Sequence, residues 1–177
     1  MTGGKEYGKA LFMLTEECAT TDAVVDDVRV ARSVFIENPE YIKLLDTPSL
    51  PKSERVALAD KTFSTLDDSL VNLIKIMTES HTVNQFIKAA DEYLALYDES
   101  RGILRVEAIS AISLSECQLA AIAEKLGAML GKRAVITNTV DPSILGGMKL
   151  RYGAYQLDGS IKTRLEKFEK TLKNTII

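Results

Sequence analysis

Two hydrophobic periods divide this chain. Up to about Gly102 the apolar residues keep helical spacing, and from Ile103 they alternate. Tyr7, Leu11, Leu14 and Cys18 form a first stripe. Thr20-Thr21-Asp22 then offers N-cap residues, and Val24, Val28, Ala31 and Phe35 form a second stripe. Asn38-Pro39 predicts a restart, with Asn as cap and Pro in the first turn of a short helix through Ile42 and Leu45. Pro51 opens a helix carrying Val56 and Phe63. A fifth segment sets Leu66, Leu70, Leu73, Ile74 and Met77 on one arc, and a sixth aligns Val83, Ile87, Ala90, Leu94 and Tyr97 before Gly102. Six helices with short connections predict a bundle over residues 1–103.

The remainder, 104–177, reads as a small α/β module. In "LRVEAIS" Leu104, Val106 and Ala108 share one face, as in a half-buried strand. Ser115 to Gln118 fits a capping box for a helix through Leu119, Ile122, Leu126 and Met129, which Gly131 stops. "RAVITNTV" is a β-branched second strand, and "GMKLRY" and "AYQL" are two short strands around Gly153. The last segment puts Ile161, Leu165, Phe168 and Leu172 on one stripe of a basic helix. The fold class expected is α+β: a six-helix bundle, then strand-helix-strand, a strand pair and a C-terminal helix.

Composition adds a charge contrast. Residues 1–103 carry 11 basic against 18 acidic residues, net −7, and residues 104–177 carry 11 against 7, net +4. The bases of the second half are interleaved with acids and lack aromatic company, so no nucleic-acid partner is expected. No apolar run reaches the ~18 residues needed to span a bilayer, and the N-terminus lacks a secretory pattern. Cys18 and Cys117 form no Cys-x-x-Cys pair and read as small buried hydrophobes of a reducing compartment.

Candidate chemistry is sparse. Gly146-Gly147 precedes an alternating strand rather than a helix, and no Gly-Lys-Ser/Thr follows. It therefore supplies permissive dihedrals or close approach rather than a phosphate cradle. Asp158-Gly159 likewise ends a strand. His81, the only histidine, has no identifiable relay or metal partners. The acidic pairs Asp26-Asp27, Asp67-Asp68, Asp91-Glu92 and Asp98-Glu99 diverge by about 100° on a helix, which suits solvation and helix starts better than acid–base work. No catalytic residue, metal ligand or cofactor is expected.

Apolar residues off the main stripes are more informative. Ile76 lies away from the arc of the fifth helix, and Phe12 and Met13 broaden the first helix around a shallow place at Ala10. Such a surplus suits a partner's amphipathic helix, unless the bundle buries these helices on two sides.

The order of parts resembles the δ subunit of bacterial F-type ATP synthase, the counterpart of the mitochondrial oligomycin-sensitivity-conferring protein. The resemblance is carried by "YGKALF", "NPEYIKLLDTPSLPKSER", "LVNLIKIM" and, most specifically, "VDPSILGGMKLRYGAYQLDGSIKTRLEKF". One departure is Gly8, where the family commonly carries a small helix former such as alanine; it predicts a weaker first turn. The resemblance implies a non-catalytic stator subunit, peripheral at the cytoplasmic face of the membrane and not inserted in it. The helical domain would grip the N-terminal helices of the α subunits, with Tyr7, Ala10 and Ile76 lining the groove. The C-terminal module would hold the C-terminal ends of the b-subunit stalk, with Leu165 and Phe168 as contacts. Gly146, Gly147, Asp158 and Gly159 would be structural. The competing reading is a cytoplasmic helical adaptor for an amphipathic partner helix.

Overall fold

The switch of period at Ile103 is a switch of architecture. In the computed structural model, which describes residues 3–144, 146–152 and 155–159, the chain forms two compact units, Met1–Tyr97 and Asp98–Ile177. Among the described residues the helices are α1 (Gly4–Glu17), α2 (Thr21–Glu37), α3 (Pro39–Asp46), α4 (Lys52–Phe63), α5 (Asp68–Glu79) and α6 (Phe86–Ser100). They are followed by β1 (Ile103–Ser110), α7 (Glu116–Leu130), β2 (Arg133–Val140), β3 (Met148–Tyr152) and β4 (Tyr155–Asp158). The boundary between the units falls inside α6.

The first unit is organised by one apolar cluster. The whole predicted stripe of α2, Val24, Val28, Ala31 and Phe35, is buried. The Phe35 ring stands 4.7 Å from that of Phe86 and 5.3 Å from that of Phe63, distances at which aromatic rings attract beyond simple burial. On α5, Leu70, Ile74 and Met77 point inward as their spacing requires, while Leu73, and Leu66 just before the helix, pack at the margin.

The first and last helices of this unit turn differently from their apolar stripes. On α1 the buried face is Gly4, Gly8, Leu11, Phe12 and Thr15, and Leu14 is exposed. On α6 the fully buried residues are Phe86, Ala89, Ala90 and Tyr93, with Ile87, Leu94 and Tyr97 half-buried beside them. A short 3-10 turn at Val83–Gln85 precedes α6, so Val83 is buried on a different helical phase from the residues after it. Both cysteines are exposed, contrary to the burial expected of them. Cys18 caps the end of α1, where the chain turns through Ala19 at φ +56°, and Cys117 sits on the outward side of α7's first turn.

Asn38 also differs from its expected role. It precedes α3, yet its side chain makes no bond to that helix; Nδ2 instead donates to the Val34 carbonyl at 2.9 Å, closing the end of α2.

In the second unit the strand order is β2-β1-β3-β4. β1 and β2 are parallel, in register from Ile103↔Arg133 to Ser110↔Val140, with α7 as the crossover between them. β3 joins the other edge of β1 antiparallel, and β4 pairs antiparallel with β3. The alternation in β1 is as expected: Leu104, Val106, Ala108 and Ser110 are buried. The capping box at α7 forms as the sequence predicts. Ser115 Oγ accepts from the Gln118 backbone N–H, Gln118 Oε1 accepts from the Ser115 N–H, and Gly131 ends the helix at φ +64°. Leu119, Ile122 and Leu126 of α7 are only half-buried, and Met129, expected on the same stripe, is 80 % exposed near the helix end.

Candidate functional site

The apolar surplus lies on α1 and α5, which pack against each other. On α1, Met13 is 61 % exposed, and Leu14 and Ala10 beside it are also exposed. On α5, Ile76 is 54 % exposed, while Leu73 is half-buried. Tyr7 is half-buried and packs on the margin of the core. Phe12, which the sequence grouped with Met13 as surplus surface, belongs instead to the core. Its ring stands edge-on to Tyr93 at 5.9 Å, and this contact uses the side of α1 facing α6.

The orientation of α1 is set by what it can approach. A Cβ on Gly8 would lie 2.2 Å from the Ala89 carbonyl oxygen, and one on Gly4 would lie 2.9 Å from that of Gln85. Hydrogen at these two positions, four residues apart on one face, lets α1 lie directly on the backbone of α6 and of the 3-10 turn before it. Three residues past Phe12, Thr15 Oγ1 donates to the Phe12 carbonyl at 3.0 Å and stands 3.2 Å from the Tyr93 hydroxyl. Burial pushes the Tyr93 hydroxyl pKa up, and the Thr15 bond only partly opposes it. Lys5 and Glu92 add an ion pair at 3.2 Å. Turning the Gly4–Gly8–Leu11–Thr15 face inward leaves Ala10, Met13 and Leu14 outward. Gly8, a departure from the family's usual small helix former, meets a packing requirement at this position.

α5 is held at both ends. Asp67 caps it, accepting from the Ser69 N–H at 2.8 Å, while its own N–H donates to Asp27 Oδ2 at 2.8 Å. At the other end lies Arg55, 4 % exposed. Its Nη1 donates to the Leu45 carbonyl at 3.0 Å and the Thr78 carbonyl at 3.1 Å. These belong to the last turns of α3 and α5, so one guanidinium satisfies orphan carbonyls of two helices at the negative ends of their dipoles. The His81 ring lies against the same guanidinium, with Nδ1 3.0 Å from Nη1. His81 itself has φ +55°, and it lies close to Asp46, whose backbone carbonyl is 3.2 Å from Nδ1. The lone histidine is therefore part of the α3–α5 junction, a role that periodicity does not signal because Arg55 reads as a surface residue of α4.

The acidic pairs serve comparable ends: Asp26 pairs with Arg29, Asp91 with Arg32 and Asp98 with Arg105. Among the described residues no group of three or more His, Cys, Asp or Glu side chains is placed to hold a metal ion.

In the second unit Gly147 has φ +83° and Gly146 φ +153° where the chain turns into β3. Non-glycine residues rarely adopt the first of these values. Just before them Asp141 Oδ1 accepts from the Ser143 N–H at 2.9 Å, and hydrogen bonding to Ser143 holds the Asp141 carboxyl below its usual range. Asp158 lies 3.6 Å from Lys149 across the β3–β4 pair. The Gly159 N–H donates to the Met148 carbonyl at 3.0 Å, where a Cβ would come within 3.1 Å of that oxygen. Leu165 and Phe168, with the rest of the expected C-terminal helix, lie outside the described residues.

Comparison with known proteins adds to this geometry. The family model described as ATP synthase delta (OSCP) subunit matches residues 4–172. The chain is 33 % identical over 169 residues to ATP synthase subunit delta of Geobacillus sp., covering 95 % of each protein. It is 31 % identical to the subunit of the same name from Enterococcus faecalis, covering 97 % of this chain and 96 % of the other. Among solved structures, a chain of the Toxoplasma gondii mitochondrial ATP synthase hexamer shares the fold, with a TM-score of 0.77 at 18 % identity over 97 % of this chain and 98 % of the other.

Proposed function

From the premise that this chain belongs to the ATP synthase delta (OSCP) subunit family, and is thereby a peripheral-stalk component of an F-type ATP synthase, we propose that it ties the catalytic head to the membrane-anchored stalk. The first unit grips the N-terminal helices of the α subunits. The second takes the C-terminal ends of the b subunits, so that the head is restrained against the torque of rotation during ATP synthesis. The chain catalyses nothing in this scheme, and it sits on the cytoplasmic face of the membrane through its partners. No helix among the described residues is long and apolar enough to cross a membrane.

The observation that carries the reading is the exposed apolar set on two mutually packed helices: Met13 and Leu14 on α1 and Ile76 on α5, beside Tyr7 and Ala10. An amphipathic helix laid along such a surface gains from desolvation of its own apolar face and needs no titrating group. A static grip of this kind is what a stator requires. The acidic character of residues 1–103 and the basic character of 104–177 would orient the two partners more than strengthen their binding.

The test is a calorimetric titration of the full chain with the N-terminal peptide of the same organism's α subunit. Saturable binding weakened about tenfold or more by Ile76→Asp and by Ala10→Asp, roughly 1.4 kcal/mol or more, is the expected result. Undiminished binding by both variants would move the site elsewhere, and no binding by the folded wild-type chain would remove the α subunit as the partner of this unit.

A further inference from the structure

The sheet of the second unit ends on two unlike strands. β4, at one edge, is four residues long, and its Asp158 is held 3.6 Å from Lys149. β2, at the other edge, runs for eight residues and pairs only with β1 among the described residues. Edge strands of soluble proteins are commonly blunted by proline, a bulge or several charges. β2 has none of these: its register with β1 is unbroken from Arg133 to Val140, and Arg133 at its start is its one charge. The Arg133 and Asp141 N–H groups donate to the Gly102 and Ser110 carbonyls on the β1 side, at 2.9 and 2.8 Å. By alternation the N–H and C=O groups of Ala134, Ile136, Asn138 and Val140 point away from β1, where no backbone partner stands among the described residues.

We propose that this edge docks a second copy of the chain, β2 against β2, antiparallel about a two-fold axis at Thr137. Charge selects both the occupant and the register. Arg133 and Asp141 lie equally far on either side of Thr137, so the axis sets Arg133 of each copy beside Asp141 of the other. Both belong to the alternate set whose backbone faces β1, so their side chains emerge on one face of the sheet. They meet as a non-hydrogen-bonded pair, in which antiparallel side chains stand closest. Arg133 is exposed and enters no ion pair among the described residues, and Asp141 engages Ser143 through Oδ1. Between these ends Ile136 faces Asn138 and Ala134 faces Val140, and their outward N–H and C=O groups exchange paired bonds. Thr137 meets its own copy and Val135 meets Thr139, β-branched pairs that suit adjacent strands. Moving the axis by one residue either way sets Arg133 opposite Thr139 or Ser143 and forfeits both ion pairs. Pro142, which has no N–H, ends the ladder. The two α7 helices then lie on the same face of one continuous sheet. Gly127 stands against the Lys132 carbonyl just before β2, with Ala120 and Ala123 on the same side of the helix, so that side is small enough to admit a second helix. This inference does not depend on which partner the first unit binds.

The experiment is sedimentation equilibrium of the full chain, of its Arg133→Glu and Asp141→Lys variants, and of the two variants mixed in equal amounts. The wild type is expected to form a dimer in a concentration-dependent way. Each variant alone brings like charges together at both ends of the pairing and should dissociate about tenfold more readily or beyond. The mixture should recover wild-type association, because only the mixed dimer sets opposite charges at both ends. A wild-type chain that stays monomeric at every concentration would overturn the proposal, as would a dimer that neither variant weakens. Weakening by both without recovery in the mixture would rule out this antiparallel register and the proposal with it. A monomer whose Ile136 and Asn138 amides gain protection from hydrogen exchange only on addition of a b-subunit peptide would assign the edge to the stalk instead.

Discussion

Gly8 and Ala89 meet backbone to backbone: a Cβ placed on Gly8 would stand 2.2 Å from the Ala89 carbonyl oxygen. The pair sets how closely α1 lies on α6, and through it which residues of α1 are left to a partner. Helix propensity alone predicts that Gly8→Ala stabilises by up to about 1 kcal/mol. The close approach predicts the opposite sign, a loss of about 1–3 kcal/mol, because a main-chain oxygen cannot swing away as a side-chain tip can. Urea denaturation of the variant decides between them.

Arg55 is predicted to be the most sensitive polar residue of the first unit. Arg55→Met leaves the Leu45 and Thr78 carbonyls without their buried donor, at a cost of about 1–3 kcal/mol each. Arg55→Lys, with a single ammonium in place of the fork that also reaches His81, should lose less than Met and more than a typical surface change. Denaturant midpoints of the three proteins order them.

Alkaline pH should weaken the fold through Tyr93. Its folded pKa is raised by burial, so its neutral form is the one the fold prefers. That contribution is fully present below the unfolded tyrosine value, about 10, and is lost as pH rises from there through the folded value. Tyr93→Phe should reduce the loss of thermal stability above about pH 10, leaving the part due to Tyr41, which burial also raises. It should also cost about 0.5–1.5 kcal/mol at neutral pH for the bond to Thr15.

Glu107 should act in the acid direction on the second unit. Hydrogen bonding from Thr139, with the Arg151 cation beside it, lowers its folded pKa. Its contribution is present above the unfolded glutamate value, about 4.3, and is lost as pH falls through the folded value. Glu107→Gln should flatten that part of the acid-unfolding curve, followed by amide exchange in β1.

Met13→Asp separates docking from folding. The residue is 61 % exposed, so stability should change by no more than about 0.5 kcal/mol. Binding of the α peptide should fall about tenfold or more if α1 forms one wall of the site. Parallel thermal melts and titrations check both halves.

Much of the architecture was legible in the chain because local chemistry specifies it. The change from 3.6- to 2-residue period at Ile103, the reciprocal cap of Ser115 and Gln118, the stop at Gly131 and the inward stripe of α2 each follow from a few neighbouring residues. The outward position of Ile76 follows likewise from the arc of its helix. Tertiary packing decided the rest. The face of α1 that turns inward is chosen by Gly4, Gly8 and Thr15, which contribute little hydrophobicity but allow close approach. Leu14, on the apolar stripe, is left in water. The phase of α6 is reset by the 3-10 turn at Val83–Gln85. Arg55 is buried because two helix C-termini converge on it, and only the folded chain brings the ends of α3 and α5 together. Sequence fixes periodicity and caps because these act within a turn or two. Steric fit between helices far apart in the chain, and the desolvation of a charge among backbone carbonyls, exist only once the chain has folded.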